Sequence, residues 1–461
     1  MEGGRGRGLQ GDQQVSGTIR QAPVMSANEC HKECHRIGPV EEEYNRVSYS
    51  GILKVLGCVL TFTSQIVLES NEITDPGCLV TCGSRCSVRG DQEGMLDDTA
   101  VENKGEVVYV ADPKLLSWCD AVPVFRQRAC LTHALIASYG LLHKMRVVPS
   151  EAASEEDIRK FHSQEYVEFL QRGVPEEEDE GAQDEFGLGF DCPILDNLWG
   201  LVCGLAGGSL TAARELTSGR TKIALNWCGG WHHAQRDMAS GFCYVNDIVL
   251  AVLHLRSAFP KVLYIDLDVH HGDGVENAYL FSPKVVTLSL HQREPGFFPA
   301  TGAVEDKGLG KGKLFTFNVP YKEGINDKQF VYLFESILYP LVVLTPSAKI
   351  PLGGGNLTLK AYTTCVTHVA NLSKPTLFLG GGGYNKSNAA KLWTAITSTV
   401  LKCPVSAEIP EHQFFSWYGP DFELEVTAGL RKSSNTQESL DQTIKAVHGN
   451  IEKLAEVLGQ K

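Results

Sequence analysis

Short apolar runs alternate with longer amphipathic stretches from Val107 onward, and this alternation constrains the fold more than any other feature of the chain. The apolar runs include VVYV, TKIALNW, KVLYIDLDV, KVVTLSL, FTFNVP and TLFLGGGGY, and the amphipathic stretches include NDIVLAVLHLRSAF and DKQFVYLFESILYPLV. Strands that alternate with helices favour a mostly parallel central sheet with helices on both faces. The sequence therefore predicts a three-layer α/β fold.

The first 105 residues have a different texture. They are rich in Gly, Arg and Ser and then in Cys, with no sustained period, and the Cys spacing is only a weak zinc signal. We predict a poorly ordered, Cys-containing leader over 1–105 and one catalytic domain over 106–461. The most apolar stretch, 51–68, contains Lys54, Ser64 and Gln65, which argues against a membrane span.

The chain is acidic, with a net charge of -13 and a pI near 5.6. This charge argues against binding nucleic acid through its phosphates, and it suits a basic partner. We expect neither direct nucleic-acid binding nor membrane binding.

Polar residues crowd the end of one apolar run, in DLDVHHGDG from Asp266 to Gly274. Asp268 and His270 lie two residues apart and so face the same side of an extended strand. An oxygen and an imidazole nitrogen on one face are ligands for an ion such as Zn²⁺. Burial of so many polar groups without a metal or a network is costly, so we predict a site here.

A second cluster lies in WCGGWHHAQRDMASGFCYVND, which starts at Trp227. In the pair His232 and His233, one ring can act as a neutral base and the other as a cation or an orienting group. Each needs a carboxylate, and Asp266 and Asp273 are available. Two further segments end in PGFFPATG, an aromatic wall, and in LGGGGYN, whose tyrosine hydroxyl can donate to an oxyanion. Open α/β sheets place their sites at such strand ends.

From about Val107 to the end, the chain resembles a zinc-dependent class I histone deacetylase, most closely the short type-eight branch. The resemblance rests on EFGLGFDCP, NWCGGWHHAQRDMASGFCYVND, YIDLDVHHGDGVE, SLHQREPGFFPATG, GLGKGKLFTFNVP, LGGGGYN and EIPEHQFFSWYGPDFELE. It implies an arginase/deacetylase-like fold and hydrolysis of acetyl-lysine. By this resemblance, His233 would be the general base and then the general acid, and Asp273 would orient its ring. His232, paired with Asp266, would give electrostatic support, and Tyr384 would polarise the acetyl carbonyl.

The resemblance also implies the substrate and metal contacts. Gly241, Phe242 and Phe298 would line the acyl-lysine tunnel together with Tyr384. Asp191 would hold the substrate backbone at the rim, and Arg128 would lie in an inner acetate channel. Asp268 and His270 would bind zinc. A structural potassium ion would be surrounded by Asp266, Asp268, His270, Ser289 and Leu290.

One part of the family pattern is absent. The third zinc ligand is an Asp that ends another strand, in a stretch G-A-D followed shortly by G-D-P-L. Here TPSAKI is followed directly by PLGGGNLT, so a central strand and its loop are deleted between Ile350 and Pro351. A catalytic zinc normally has three protein ligands, and only two are identifiable.

Three alternatives follow for function. The protein is an active deacetylase whose printed sequence omits a short exon, or a true isoform with weak metal binding and little activity that acts as a scaffold, or another amidohydrolase of the same broad fold. We favour zinc-dependent removal of acetyl groups from lysine in histone tails and similar proteins. The resemblance further implies transcriptional repression, chromatin corepressor partners, and a nuclear location with the cytoplasm as a second site.

Overall fold

The structure is a computed structural model that describes residues 106–173, 182–344 and 356–459, together with the backbone of Cys58–Thr61. The strands are β1 (Cys58–Thr61), β2 (Val107–Val110), β3 (Arg146–Val148), β4 (Ile223–Asn226), β5 (Val262–Asp266), β6 (Val285–Gln292), β7 (Thr316–Tyr321) and β8 (Thr376–Leu379). The helices are α1 (Pro113–Ala121), α2 (Arg128–Ser138), α3 (Glu155–Arg159), α4 (Gln164–Arg172), α5 (Ala182–Glu185), α6 (Leu198–Thr217), α7 (Asp247–Leu255), α8 (Asp273–Tyr279), α9 (Asp327–Leu344), α10 (Leu359–Ala370), α11 (Lys386–Leu401) and α12 (Gln437–Val457).

The described strands form one sheet in the order β3-β2-β4-β8-β1-β5-β6-β7. Every pairing in this sheet is parallel. The predicted α/β fold with a parallel central sheet is thereby confirmed.

Each face of the sheet carries its own hydrophobic core. Along β5, Leu263 and Ile265 belong to one core, whereas Val262 and Tyr264 belong to the other. This division follows from the strand geometry, since successive side chains point to opposite faces. The first core is completed by α9, α10, α11 and α12, and the second by α1, α4, α6 and α7. Strands buried on both faces explain why their sequences are continuous apolar runs.

The centre of the sheet differs from the sequence-based expectation. A central strand was predicted to be missing, yet β1 lies between β8 and β5 and pairs with both. This strand lies within 1–105, which we predicted to be a poorly ordered leader. For Cys58–Thr61 that prediction is wrong. The remainder of 1–105 lies outside the described residues, and the division at 105 and 106 stays a prediction. Among the described helices, none is long and apolar enough to span a membrane.

Candidate active site

The loops that follow β4, β5 and β8 meet at one edge of the sheet. Because all three strands run parallel, their carboxyl ends share that edge. The β4 loop carries His232 and His233, the β5 loop carries Asp268 and His270, and the β8 loop carries Tyr384. Residues far apart in the sequence therefore line a common pocket.

His232 is a buried histidine held between two carboxylates. Its Nδ1 lies 2.7 Å from Oδ2 of Asp266, and its Nε2 lies 3.7 Å from Oδ2 of Asp268. Burial alone would lower the pKa of His232, but the two negative charges overcome this effect and raise the pKa to about 9. The ring is therefore a cation at neutral pH. The hydroxyl of Tyr264 donates a further hydrogen bond of 2.5 Å to Asp266.

His233, in contrast to His232, favours the neutral form. Burial, followed by the neighbouring charge of His232, lowers its pKa to about 4. Its Nδ1 lies 2.7 Å from Oδ1 of Asp273, and Gln235 donates to the other oxygen of that carboxylate at 3.0 Å. A neutral ring that donates from Nδ1 keeps Nε2 free of a proton. His233 can therefore accept a proton at neutral pH.

Asp268 and His270 adjoin each other at the end of β5. The backbone N–H of His270 donates to Oδ1 of Asp268 at 2.8 Å, and the His270 ring Nδ1 lies 3.2 Å from the same oxygen. Burial opposes ionisation of Asp268, but the charge of His232 and the hydrogen bonds from His270 hold its pKa below the usual value. An ionised oxygen and a ring nitrogen thus face the same side.

A cavity of about 380 Å³ opens above these groups. It is lined by Asp191, His233, Gly241, Phe242, His270, Phe298 and Tyr384. The ring of Phe298 is 42% exposed at the mouth and lies 4.8 Å from the ring of His233. Gly241 has a φ of +53°, and a Cβ there would lie 2.5 Å from Cδ2 of His233. Glycine is required at this wall because both the backbone and the space exclude a side chain.

Tyr384 closes the inner end of this cavity. Its ring stacks on Phe125 at 5.6 Å and meets the edge of Phe242 at 5.5 Å. Burial, and then the charge of Asp268, raises the pKa of Tyr384 well above its usual value. The phenol therefore keeps its proton and can donate a hydrogen bond into the pocket.

Arg128 lies behind Tyr384. Its guanidinium donates to the carbonyls of Gly382 and Gly383 and lies 3.8 Å above the ring of Phe125. Its Nε is buried and has no hydrogen-bond partner among the described residues. A buried donor without a partner is costly, so this position favours a small anion or water at its side.

Comparison with known proteins identifies the family. The histone deacetylase domain matches residues 123–400. The chain belongs to the histone deacetylase family. It is 42% identical to histone deacetylase 8 of Danio rerio over 361 residues, which cover 76% of this chain and 96% of that protein. Histone deacetylase 8 of Xenopus tropicalis is 42% identical over 362 residues, covering 75% and 98%. Histone deacetylase 9 of Arabidopsis thaliana is 41% identical over 329 residues, covering 68% and 77%.

These similarities confirm the predicted class of this deacetylase and its resemblance to the type-eight branch. The individual roles given to the site residues stay predictions. The geometry brings together the two histidine–carboxylate pairs, the Asp268–His270 pair and the aromatic walls, all in the arrangement that the sequence predicts.

Zinc is the metal that the resemblance implies, and the described residues do not complete a site for it. Asp268 and His270 supply two donors, whereas a catalytic zinc normally has three protein ligands. Within 106–173, 182–344 and 356–459, no group of three or more His, Cys, Asp or Glu side chains can hold a metal. Cys365 is buried in a hydrophobic core, and His368 pairs with Glu335 at 2.7 Å. Neither replaces the absent Asp.

The predicted potassium site lies where β5 and β6 run side by side. Asp266 and Ser289 are Cα partners in the ladder, and Leu290 follows on β6. The hydroxyl of Ser289 lies 2.8 Å from Nδ1 of His291. The oxygen atoms of this region suit a hard cation, and potassium binding stays a prediction.

Three contributors to the deacetylase site were missed from the sequence. Phe125 supports both Tyr384 and Arg128, and Tyr264 donates to Asp266. Asp247 accepts from the backbone N–H groups of Gly230 and Trp231 at 2.9 and 2.8 Å, which fixes the turn before the histidine pair. Only Asp247 had a sequence signal, since VND at the start of a helix marks an acidic first turn.

Proposed function

We propose that the chain hydrolyses the acetyl amide of N6-acetyl-lysine in histone tails and similar proteins, giving lysine and acetate. The observation that carries this proposal is the opposite charge preference of His232 and His233 beneath an aromatic-walled cavity. A neutral base beside a buried cation is what amide hydrolysis needs for proton transfer and for charge stabilisation.

The substrate class follows from the shape of the cavity. Phe242 and Phe298 offer apolar walls for the lysine stem, and Gly241 leaves room between them and His233. The carboxylate of Asp191 at the rim can accept hydrogen bonds from the substrate backbone. A long apolar stem with a small polar end fits such a cavity better than a charged amine does.

The reaction steps use this chain's own side chains. His233 accepts a proton at Nε2 from the attacking water, while Asp273 holds Nδ1. Tyr384 donates its phenol proton in a hydrogen bond to the acyl oxygen as negative charge develops there. His233 then passes its proton to the leaving lysine amine. The Nε of Arg128, which has no hydrogen-bond partner among the described residues, can hold the acetate product before its release.

Zinc is part of the proposal, and Asp268 and His270 would be two of its ligands, although these two donors alone do not form a complete site. This same observation favours a second candidate, a pseudo-deacetylase that binds acetyl-lysine proteins as a scaffold without turnover. We further propose transcriptional repression with chromatin corepressor partners, in the nucleus and secondarily in the cytoplasm; the family membership supports these points.

The test is hydrolysis of an acetyl-lysine peptide by the full chain while zinc is titrated, with His233→Ala as the blank. Turnover above the blank that saturates with zinc is the expected result. Soluble, folded protein with no turnover at any zinc level would overturn the enzymatic proposal. Peptide binding, measured by fluorescence anisotropy on the same samples, would then separate a scaffold from an inactive chain.

A further inference from the structure

The strand β1 comes first in the sequence, yet it lies at the centre of the sheet and not beside the strand that follows it in the chain. The strand lies between β8 and β5, at the centre of the sheet, although more than forty residues separate it from β2, the next described strand along the chain. Its register is Val59 to Thr376 and Thr61 to Phe378 on one side, and Cys58 to Val262 on the other. It also contacts α7 on one face of the sheet.

Among the described residues, no other strand takes this position. After β7 at the edge of the sheet, the chain forms α9 and then α10 before it returns to β8. Two successive helices between parallel strands normally flank a strand, because each crossover helix joins one strand to the next. The described residues contain no strand between α9 and α10, and β1 fills the position that such a strand would take.

We propose that Cys58–Thr61 takes the place of a central strand that none of the described residues between α9 and α10 forms, so that these four residues are a structural part of the catalytic domain. This inference goes beyond the proposed function. The segment that pairs with the sheet belongs to this same chain. It lies between the facing edges of β5 and β8 and pairs with both.

The backbone of the sheet gives the physical reason. The flanking segments Leu263–Ile265 and Thr376–Leu379 are buried on both faces. Without a strand between them, their facing N–H and C=O groups would be shielded from water and would lack ladder partners, which is strongly unfavourable. A four-residue strand that pairs on both sides removes this penalty.

The spacing of β5 and β8 links this strand to the site. With β1 between them, the two strands lie roughly 10 Å apart, because neighbouring strands are spaced about 4.8 Å. The inner cavity is lined by Asp268 and His270 from the β5 loop and by Gly381, Gly382 and Tyr384 from the β8 loop. If β1 were lost and β5 paired directly with β8, the β5 and β8 loops that line the cavity would move about 5 Å closer together. The strand therefore sets the width of the pocket.

Hydrogen exchange of the full chain, followed by mass spectrometry, tests the proposal without depending on turnover. We expect the amides of Val59–Thr61 to exchange as slowly as those of Leu263–Ile265, because both belong to the centre of one sheet. Exchange of Val59–Thr61 within seconds, while Leu263–Ile265 stays protected, would overturn the proposal.

Substitution in the strand provides the second test. Leu60→Pro removes one ladder N–H, and we expect a lower midpoint of thermal unfolding, faster exchange in Leu263–Ile265 and a loss of activity of about 10²-fold. Leu60→Ile keeps the N–H, and Glu93→Pro places the same substitution elsewhere in the N-terminal segment. Both controls should behave as the parent. Equal effects of Leu60→Pro and Glu93→Pro, or none from either, would overturn the proposal.

The two proposals fail in different ways. If the parent chain has no turnover but Val59–Thr61 is protected and Leu60→Pro alone destabilises the sheet, the strand assignment stands and the enzymatic proposal falls. If turnover is normal and Leu60→Pro changes neither exchange nor activity, only the strand assignment falls.

Discussion

The imidazole rings of His232 and His233 lie 3.9 Å apart, yet their surroundings drive their pKa values in opposite directions. The carboxylates of Asp266 and Asp268 hold His232 as a cation, and burial with that neighbouring cation keeps His233 neutral. Adjacent residues therefore supply a fixed positive charge and a proton acceptor. This division of roles underlies the first prediction.

Replacement of His233 by Ala should remove the proton acceptor and lower kcat/KM for an acetyl-lysine peptide by about 10²- to 10⁴-fold, the usual contribution of a general base. The matched control is His143→Ala, since His143 is exposed and lies outside the pocket. Circular dichroism should show both variants folded. Parental turnover in His233→Ala would remove this histidine from the mechanism.

Tyr384→Phe should lower kcat by about 10²-fold if the phenol donates to the developing oxyanion, as we propose. KM should change little, since the stacking of the ring on Phe125 is kept. Tyr339→Phe serves as the control; that hydroxyl contacts His368, and the Tyr339 side chain is exposed. Steady-state kinetics on both variants would decide, and a large rise in KM with kcat intact would point to substrate binding instead.

Gly241→Ala should abolish most activity, because a Cβ at this position would lie 2.5 Å from the His233 ring. Gly140→Ala is the matched control: its φ is +70°, so the backbone strain is similar, but nothing lies within 4 Å of the added Cβ. The left-handed backbone should cost each variant about 1–2 kcal/mol of unfolding free energy, and the clash with His233 should add to that loss in Gly241→Ala alone. Only Gly241→Ala should also lose kcat/KM, and equal activity losses would contradict a steric role for this wall.

The sequence predicted the layered fold because buried parallel strands require continuous apolar runs, and KVLYI or TLFL follow that rule. It also predicted most of the site, since reactive groups after strands share one edge of the sheet. Tyr264 was hidden because a tyrosine inside an apolar run resembles any core residue. Its contact with Asp266 depends on where the strand ends.

The strand β1 was missed for a different reason. CVLT is too short for its pattern to predict a strand, and its role depends on a vacancy created far away in the sequence. The absent third zinc ligand was visible only because the flanks of the gap resemble the family pattern. No local property of Ile350 or Pro351 indicates which segment fills the sheet.

The stability of the deacetylase domain should fall in mild acid because of His162. This ring is buried beside Tyr166; Nδ1 lies 3.2 Å from the carbonyl oxygen of Arg236, and Nε2 accepts the backbone N–H of Asn246 at 3.1 Å. Burial lowers the pKa of His162 from 6.5 to about 4 in the folded chain. The neutral ring is needed, since protonation of Nε2 would eliminate its acceptor for Asn246.

The direction in which the stability changes with pH follows from proton uptake by His162. Between pH 6.5 and about 4 the unfolded chain binds a proton at His162 and the folded chain does not, so stability present above pH 6.5 is lost as the pH falls. The loss of unfolding free energy attributable to His162 should approach roughly 3 kcal/mol near pH 4.

Urea unfolding from pH 7.5 to 4.5 measures this loss. His162→Gln, which has no titrating ring, should be less stable at pH 7 but show a shallower pH slope, whereas His143→Gln should keep the parental slope. Identical slopes in the parent and in His162→Gln would mean that His162 takes up its proton over the same pH range in the folded and the unfolded chain, which would contradict this prediction.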